Sequence, residues 1–157
     1  MSHSIQETHL VAEPSVAGPI GWSRLLQDEE RHCARQGFGA GVIVVGFTAE
    51  LLSRVDEDSR ALVESAIVAL IERHLRWTDR GMTLATGRFG VVTVPVDGAA
   101  ALAARARGLH AELTGRGLIA DVAYALRRDR GGLLSAAARA DAALDTAAAR
   151  RRTEIDL

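Results

Sequence analysis

The stretch Ile71–Val94, IERHLRWTDRGMTLATGRFGVVTV, constrains this chain more than any other. It opens as the end of a helix and passes through Arg76-Trp77-Thr78-Asp79 into two short apolar runs, Met82–Ala85 and Phe89–Val94. Only Thr86-Gly87-Arg88 separates these runs. Two β-prone runs split by a short glycine-containing connection predict a hairpin. A long helix feeding directly into a hairpin fixes a unit that must pack against further strands, because a lone hairpin is marginal in water.

The rest of the chain supplies those strands. Val42–Phe47 is a continuous β-branched apolar run, which predicts a central strand buried on both faces. Trp22 to Gln36 has Trp22, Leu25, Leu26 and Cys33 near one helical face, and Gly37–Gly41 breaks it. Thr48 to about Trp77 reads as mostly helical, with an interruption at Asp56–Ser59. Pro95–Gly98 reads as a loop, Ala99 to about Thr114 as a helix, and Leu118–Leu126 as a strand. Leu133 to about Arg150 reads as a last helix, with the final residues as an edge strand. Residues 1–19 are polar and lack periodicity, so a flexible tail is expected before a domain spanning 20–157. The order helix–strand–helix–hairpin–helix–strand–helix predicts an α/β fold with a central mixed sheet flanked by helices.

Charge and cysteine content narrow the function classes. A net charge of −1 argues against a broad nucleic-acid-binding surface. All 19 basic residues are arginine, so any cation site is a planar guanidinium fork. One cysteine, Cys33, allows no internal disulfide. No apolar run reaches the length of a membrane span, and no secretory signal opens the chain, so a cytoplasmic location is expected. Neither His32-Cys33 nor the other histidines have ligand spacing, so no metal or cofactor is expected. Gly37–Gly41 precedes a strand instead of following one, which excludes a dinucleotide-binding loop.

The helix–hairpin unit resembles the GGDEF domain of diguanylate cyclases, a nucleotidyl cyclase-like fold. Phe89 and the following Gly-Val-Val-Thr-Val match the family's phenylalanine and second strand, which puts the signature turn at Ala85, Thr86, Gly87, Arg88 and Phe89. Ala140-Asp141-Ala142-Ala143-Leu144 resembles the family's late helix motif, with Asp145 where tyrosine is usual and Ala148 where lysine is usual. The resemblance implies a degenerate domain. It sets Ile43 and Gly87 at the metal-binding positions and Arg88 where glutamate is usual, and a guanine-binding asparagine maps near Leu51. Condensing two GTP molecules needs a divalent metal on carboxylate oxygens, so no cyclase activity is expected.

The family's inhibitory site is an Arg-x-x-Asp a few residues before the turn, and Arg76-x-x-Asp79 stands at that distance. Chance puts such a pair at one given position only about 0.8% of the time for this composition. The resemblance therefore implies binding of cyclic di-GMP, whose guanine edges and phosphates suit arginine forks and whose N1 and N2 hydrogens suit a carboxylate. Arg105 and Arg107 on the next helix are candidates for a further arginine, and Arg73 and Arg80 flank the motif. Arg76 and Asp79 are read as a same-side pair at a helix end whose loss would hardly affect folding. Trp77 is expected to pack at the helix end, with stacking on a guanine as the alternative. The leading expectation is a catalytically inactive receptor that signals to a protein partner, with a homodimer left open. The alternatives are a ligand-independent docking or dimerisation module and a domain that binds GTP without turnover.

Overall fold

The computed structural model describes residues 14–47, 55–85 and 87–156, with side chains described from Ile20 to Arg150 apart from the gaps. In chain order the elements are α1 (Pro14–Gln36), β1 (Gly41–Phe47), α2 (Glu57–Arg73), β2 (Arg80–Ala85), β3 (Arg88–Thr93), α3 (Ala99–Gly115), β4 (Ala120–Leu126) and α4 (Gly132–Asp156). The order matches expectation, and the expected hairpin is β2–β3. Among the described residues no helix is long and apolar enough to cross a membrane.

β1 sits inside the sheet because every position but Gly46 is buried. Its side chains alternate between two cores. Val42 and Val44 face α1 and α4, where Trp22, Leu26, Leu133, Ala140 and Leu144 close the layer. Ile43, Val45 and Phe47 face α2 and α3, where Ile67, Ile71, Leu102, Leu109 and Leu113 do the same. A strand buried on both faces has no polar side to alternate with, which is why Val42–Phe47 is continuously apolar. Gly90 of β3 leaves room for Trp22, since a Cβ there would lie 2.8 Å from the indole Cη2.

The strand order is β2-β3-β1-β4, and the sheet expected to be mixed is antiparallel at all three pairings. The hairpin inserts β3 between β1 and β2, and the α3 crossover carries β4 to the far side of β1. The two parallel pairs, β1 with β2 and β3 with β4, are therefore interleaved and never adjacent.

Three boundaries differ from expectation. The tail assigned to residues 1–19 is helical from Pro14, and residues 1–13 lie outside the described residues. The helix expected to reach Trp77 stops at Arg73, with His74 as its C-cap, and it begins after an N-cap at Asp56, whose carboxylate accepts from Ser59 N at 2.9 Å. That cap is the expected interruption; residues 48–54 lie outside the described residues. The final edge strand is absent, because α4 continues to Asp156.

One ion pair fastens the α1/α4 layer to β4. Arg127 donates through Nε and Nη2 to the two oxygens of Glu30, at 2.8 and 2.6 Å, and Leu133 N at the start of α4 donates to Glu30 Oε1 at 2.9 Å. The Arg127 hydrogen bond holds the Glu30 carboxyl below its ordinary value near 4.5, partly opposed by burial. A depressed carboxylate stabilises the fold above its unfolded pKa, and that stability is lost as pH falls through the folded value. Glu30→Gln should therefore cost about 1–2 kcal/mol at neutral pH. The gap between wild type and variant should close as pH falls below about 4.5, as measured by urea unfolding across pH.

Candidate functional site

Between α2 and β2 the chain must reverse within a few residues, and Arg76–Asp79 makes that reversal as a β-turn. Asp79 N donates to Arg76 O at 3.0 Å, and Arg76 N donates to Asp79 Oδ2 at 2.9 Å, so the turn is closed from both sides. The pair is thus not on a helix end. Nor is it superficial: the Asp79 side chain is 0% exposed. A carboxylate removed from water needs partners at both oxygens. Asp79 Oδ1 accepts from Arg76 Nη2 and from Val94 N, each at 3.3 Å, and Oδ2 also accepts from Arg105 Nη2 of α3. Arg76 Nη2 reaches Thr93 Oγ1 and Pro95 O, both at 2.9 Å.

The two arginines outnumber the one carboxylate between them, which leaves local positive charge. The side chains of Arg76 and Arg105 keep 38% and 26% exposure, so that charge meets solvent. Burial is the main influence lowering the Arg105 pKa, opposed by Asp79 and assisted by Arg76. The Nε atoms of Arg76 and Arg105 are buried and have no hydrogen-bond partner among the described residues. The cluster holds two guanidinium groups in place, and their solvent-facing nitrogens, not the sealed Nε atoms, suit an anion or an acceptor-rich base edge.

The other predicted site residues divide. Arg73 is exposed in the last turn of α2. Arg80 starts β2 and is committed to Glu29 of α1, at 3.1 Å. Arg107 is exposed, and lies two residues past Arg105 on α3, roughly 200° around the helix from the cluster. Trp77 does not pack at the helix end: it is 95% exposed at the corner of the turn. Sequence reasoning missed Thr93, Val94 and Pro95, whose contacts come from the far end of the hairpin and carry no local signal.

At the signature turn, Thr86 lies outside the described residues, Ala85 ends β2 and Phe89 is buried in the α2/α3 core. Gly87 has φ 78°, donates its N–H to Glu64 Oε2 at 2.7 Å and accepts from Phe47 N at 2.8 Å. The β1 residue beside Gly87 is thus Phe47. Ile43, expected there, pairs with Val91 deep in the sheet. The register slipped because a uniformly apolar strand has no marker residue. Leu51 lies outside the described residues. Arg88 forks between Asp141 at 3.0 Å and Asp145 at 2.9 Å, on successive turns of α4. Arg88 and Asp145, two positions where the resemblance led one to expect glutamate and tyrosine, are therefore partners, a pairing that an opposite-charge comparison of the two positions would have found.

No family model matches this sequence, and no curated protein matches it. Solved structures with the same fold include GGDEF domains. The GGDEF domain of YfiN (TpbB) from Pseudomonas aeruginosa superposes with a TM-score of 0.72 at 17% identity, over 85% of this chain and 90% of that one. The GGDEF domain of DgcB from Caulobacter crescentus, in complex with c-di-GMP, gives 0.66 at 17% identity, over 76% and 80%. The diguanylate cyclase SiaD from Pseudomonas aeruginosa, in complex with its activator SiaC, gives 0.72 at 17% identity, over 94% of this chain and 63% of that one. The chain has a GGDEF-like fold.

The expectation that the Arg76–Asp79 pair is indifferent to folding is reversed by its burial. Asp79→Ala removes acceptors from two arginines and two backbone N–H groups at once. It should cost about 3 kcal/mol. That corresponds to a fall of roughly 6–12 °C in melting temperature for a chain of this size, read by differential scanning calorimetry.

Proposed function

We propose that this domain is a catalytically silent receptor for cyclic di-GMP, with Arg76 and Arg105 as its anion- and guanine-binding forks. The observation that carries the reading is the buried Asp79 holding two part-exposed guanidinium groups in one place. A cyclic dinucleotide offers two phosphates and two guanine O6/N7 edges, all acceptors that a guanidinium fork can meet in pairs. In this reading Asp79 positions the arginines, and its oxygens are taken up inside the fold instead of facing guanine. Arg73 adds charge at the rim. Arg80 and Arg107, committed to Glu29 or turned away, contribute little.

Silence at the catalytic edge is supported by what stands there. Phe47 and Gly87 offer no side-chain oxygen, and the cation Arg88 occupies the next position, locked to Asp141 and Asp145. Among the described residues the carboxylates at this turn, Glu64, Asp141 and Asp145, are taken up by Gly87 N and Arg88 and so are not open to a metal–triphosphate. The protein's output would then pass to a partner protein as a ligand-dependent change in its surface.

Calorimetric titration of the folded protein with cyclic di-GMP, with GTP as control, tests the receptor reading. Wild type should bind cyclic di-GMP and not GTP. Arg76→Ala should weaken binding by roughly two to three orders of magnitude, and Arg76→Lys should not rescue it. Both variants need a thermal melt beside the titration, because Arg76 also ties Thr93 and Pro95. Absence of binding by folded wild type would return the case to a docking module. Incubation with GTP and magnesium or manganese should give no cyclic di-GMP by chromatography, and enzyme-dependent product would end the claim of silence.

A further inference from the structure

We propose that Trp77 is a stacking face for a guanine base, so that the Arg76–Asp79 turn recognises its ligand through a π-contact as well as through charge. The inference rests on the receptor reading above and adds a contact to it. Its starting point is a contrast between the chain's two tryptophans. Trp22 is 8% exposed and packs over Gly90, whereas Trp77 is 95% exposed. Tryptophan is bulky, and its burial is what usually makes it useful to a fold. Here it contributes no burial at all.

The position of the side chain supplies the rest. Trp77 occupies the first corner of a turn closed by two hydrogen bonds between Arg76 and Asp79, and Asp79 is pinned from the far side by Arg105 and Val94 N. The indole is thus carried by a backbone with little freedom. Placing an aromatic ring on such a support lowers the ordering cost of binding a flat partner. Its neighbour in sequence is Arg76, whose side chain is part exposed. A guanine presents a π-face and, at right angles to it, the acceptor edge O6/N7 that suits a guanidinium fork. A ring and a fork on adjacent residues match those two features of one base. Inorganic phosphate would use the fork and leave the ring idle.

Stacking on a base is sequence-tolerant and typically worth one to two orders of magnitude in affinity when the aromatic is removed. Trp77→Ala should therefore weaken cyclic di-GMP binding about 10- to 100-fold, while Trp77→Phe should retain most of it. Neither variant should shift the melting temperature, since the side chain buries nothing. In wild type, cyclic di-GMP should quench the solvent-exposed part of the tryptophan emission, and inorganic phosphate should not. Heat of binding with undisturbed emission, and affinity within about twofold in Trp77→Ala, would overturn the stacking contact while leaving the receptor reading intact. Neither heat nor quenching in folded wild type would overturn both.

Discussion

Asp79 is a carboxylate placed where water cannot reach it, and much of the functional edge follows from keeping it satisfied. Removing such a group from solvent is costly unless each oxygen finds donors. The donors come from every direction: Arg76 within the turn, Val94 N at the end of the hairpin, and Arg105 on α3. One side chain thereby joins three segments distant in sequence. Two guanidinium groups that would otherwise move freely at the surface are fixed beside each other.

A second constraint is the two-faced burial of β1. Its even-numbered residues, Val42 and Val44, and its odd-numbered residues, Ile43, Val45 and Phe47, seal separate cores against separate helix pairs. A strand in this position cannot slip by one residue without exchanging the two cores, so the sheet register is firmly held. That register delivers Phe47 to the hairpin turn, where its N–H meets Gly87 O. The turn is then held from α2 by Glu64 and from α4 by Asp141 and Asp145 through Arg88. Among the described residues this edge is occupied by side chains that satisfy one another.

Much of this was legible in the chain itself. Continuous apolarity of Val42–Phe47 determined a strand buried on both sides, the Gly87 break between two β-prone runs determined the hairpin, and glycine at Gly37 ended α1, with φ 73°. Each is a local property of covalent geometry or hydrophobic pattern, readable without knowing what lies across the sheet. The Arg76–Asp79 spacing was equally visible, but its meaning was not. Whether an acid at that spacing is a solvated surface group or a buried hub depends on Val94 and Arg105, which lie 15 and 26 residues away. The same holds for the order β2-β3-β1-β4, for Phe47 in place of Ile43 beside the turn, and for the exposure of Trp77. Burial is a relation between segments brought together by packing. The sequence by itself determined which segments become strands and helices, because backbone preference and hydrophobic period act over a few residues. Only the tertiary structure decided which charges lose their water and which ring keeps it, because desolvation depends on neighbours supplied from elsewhere in the chain.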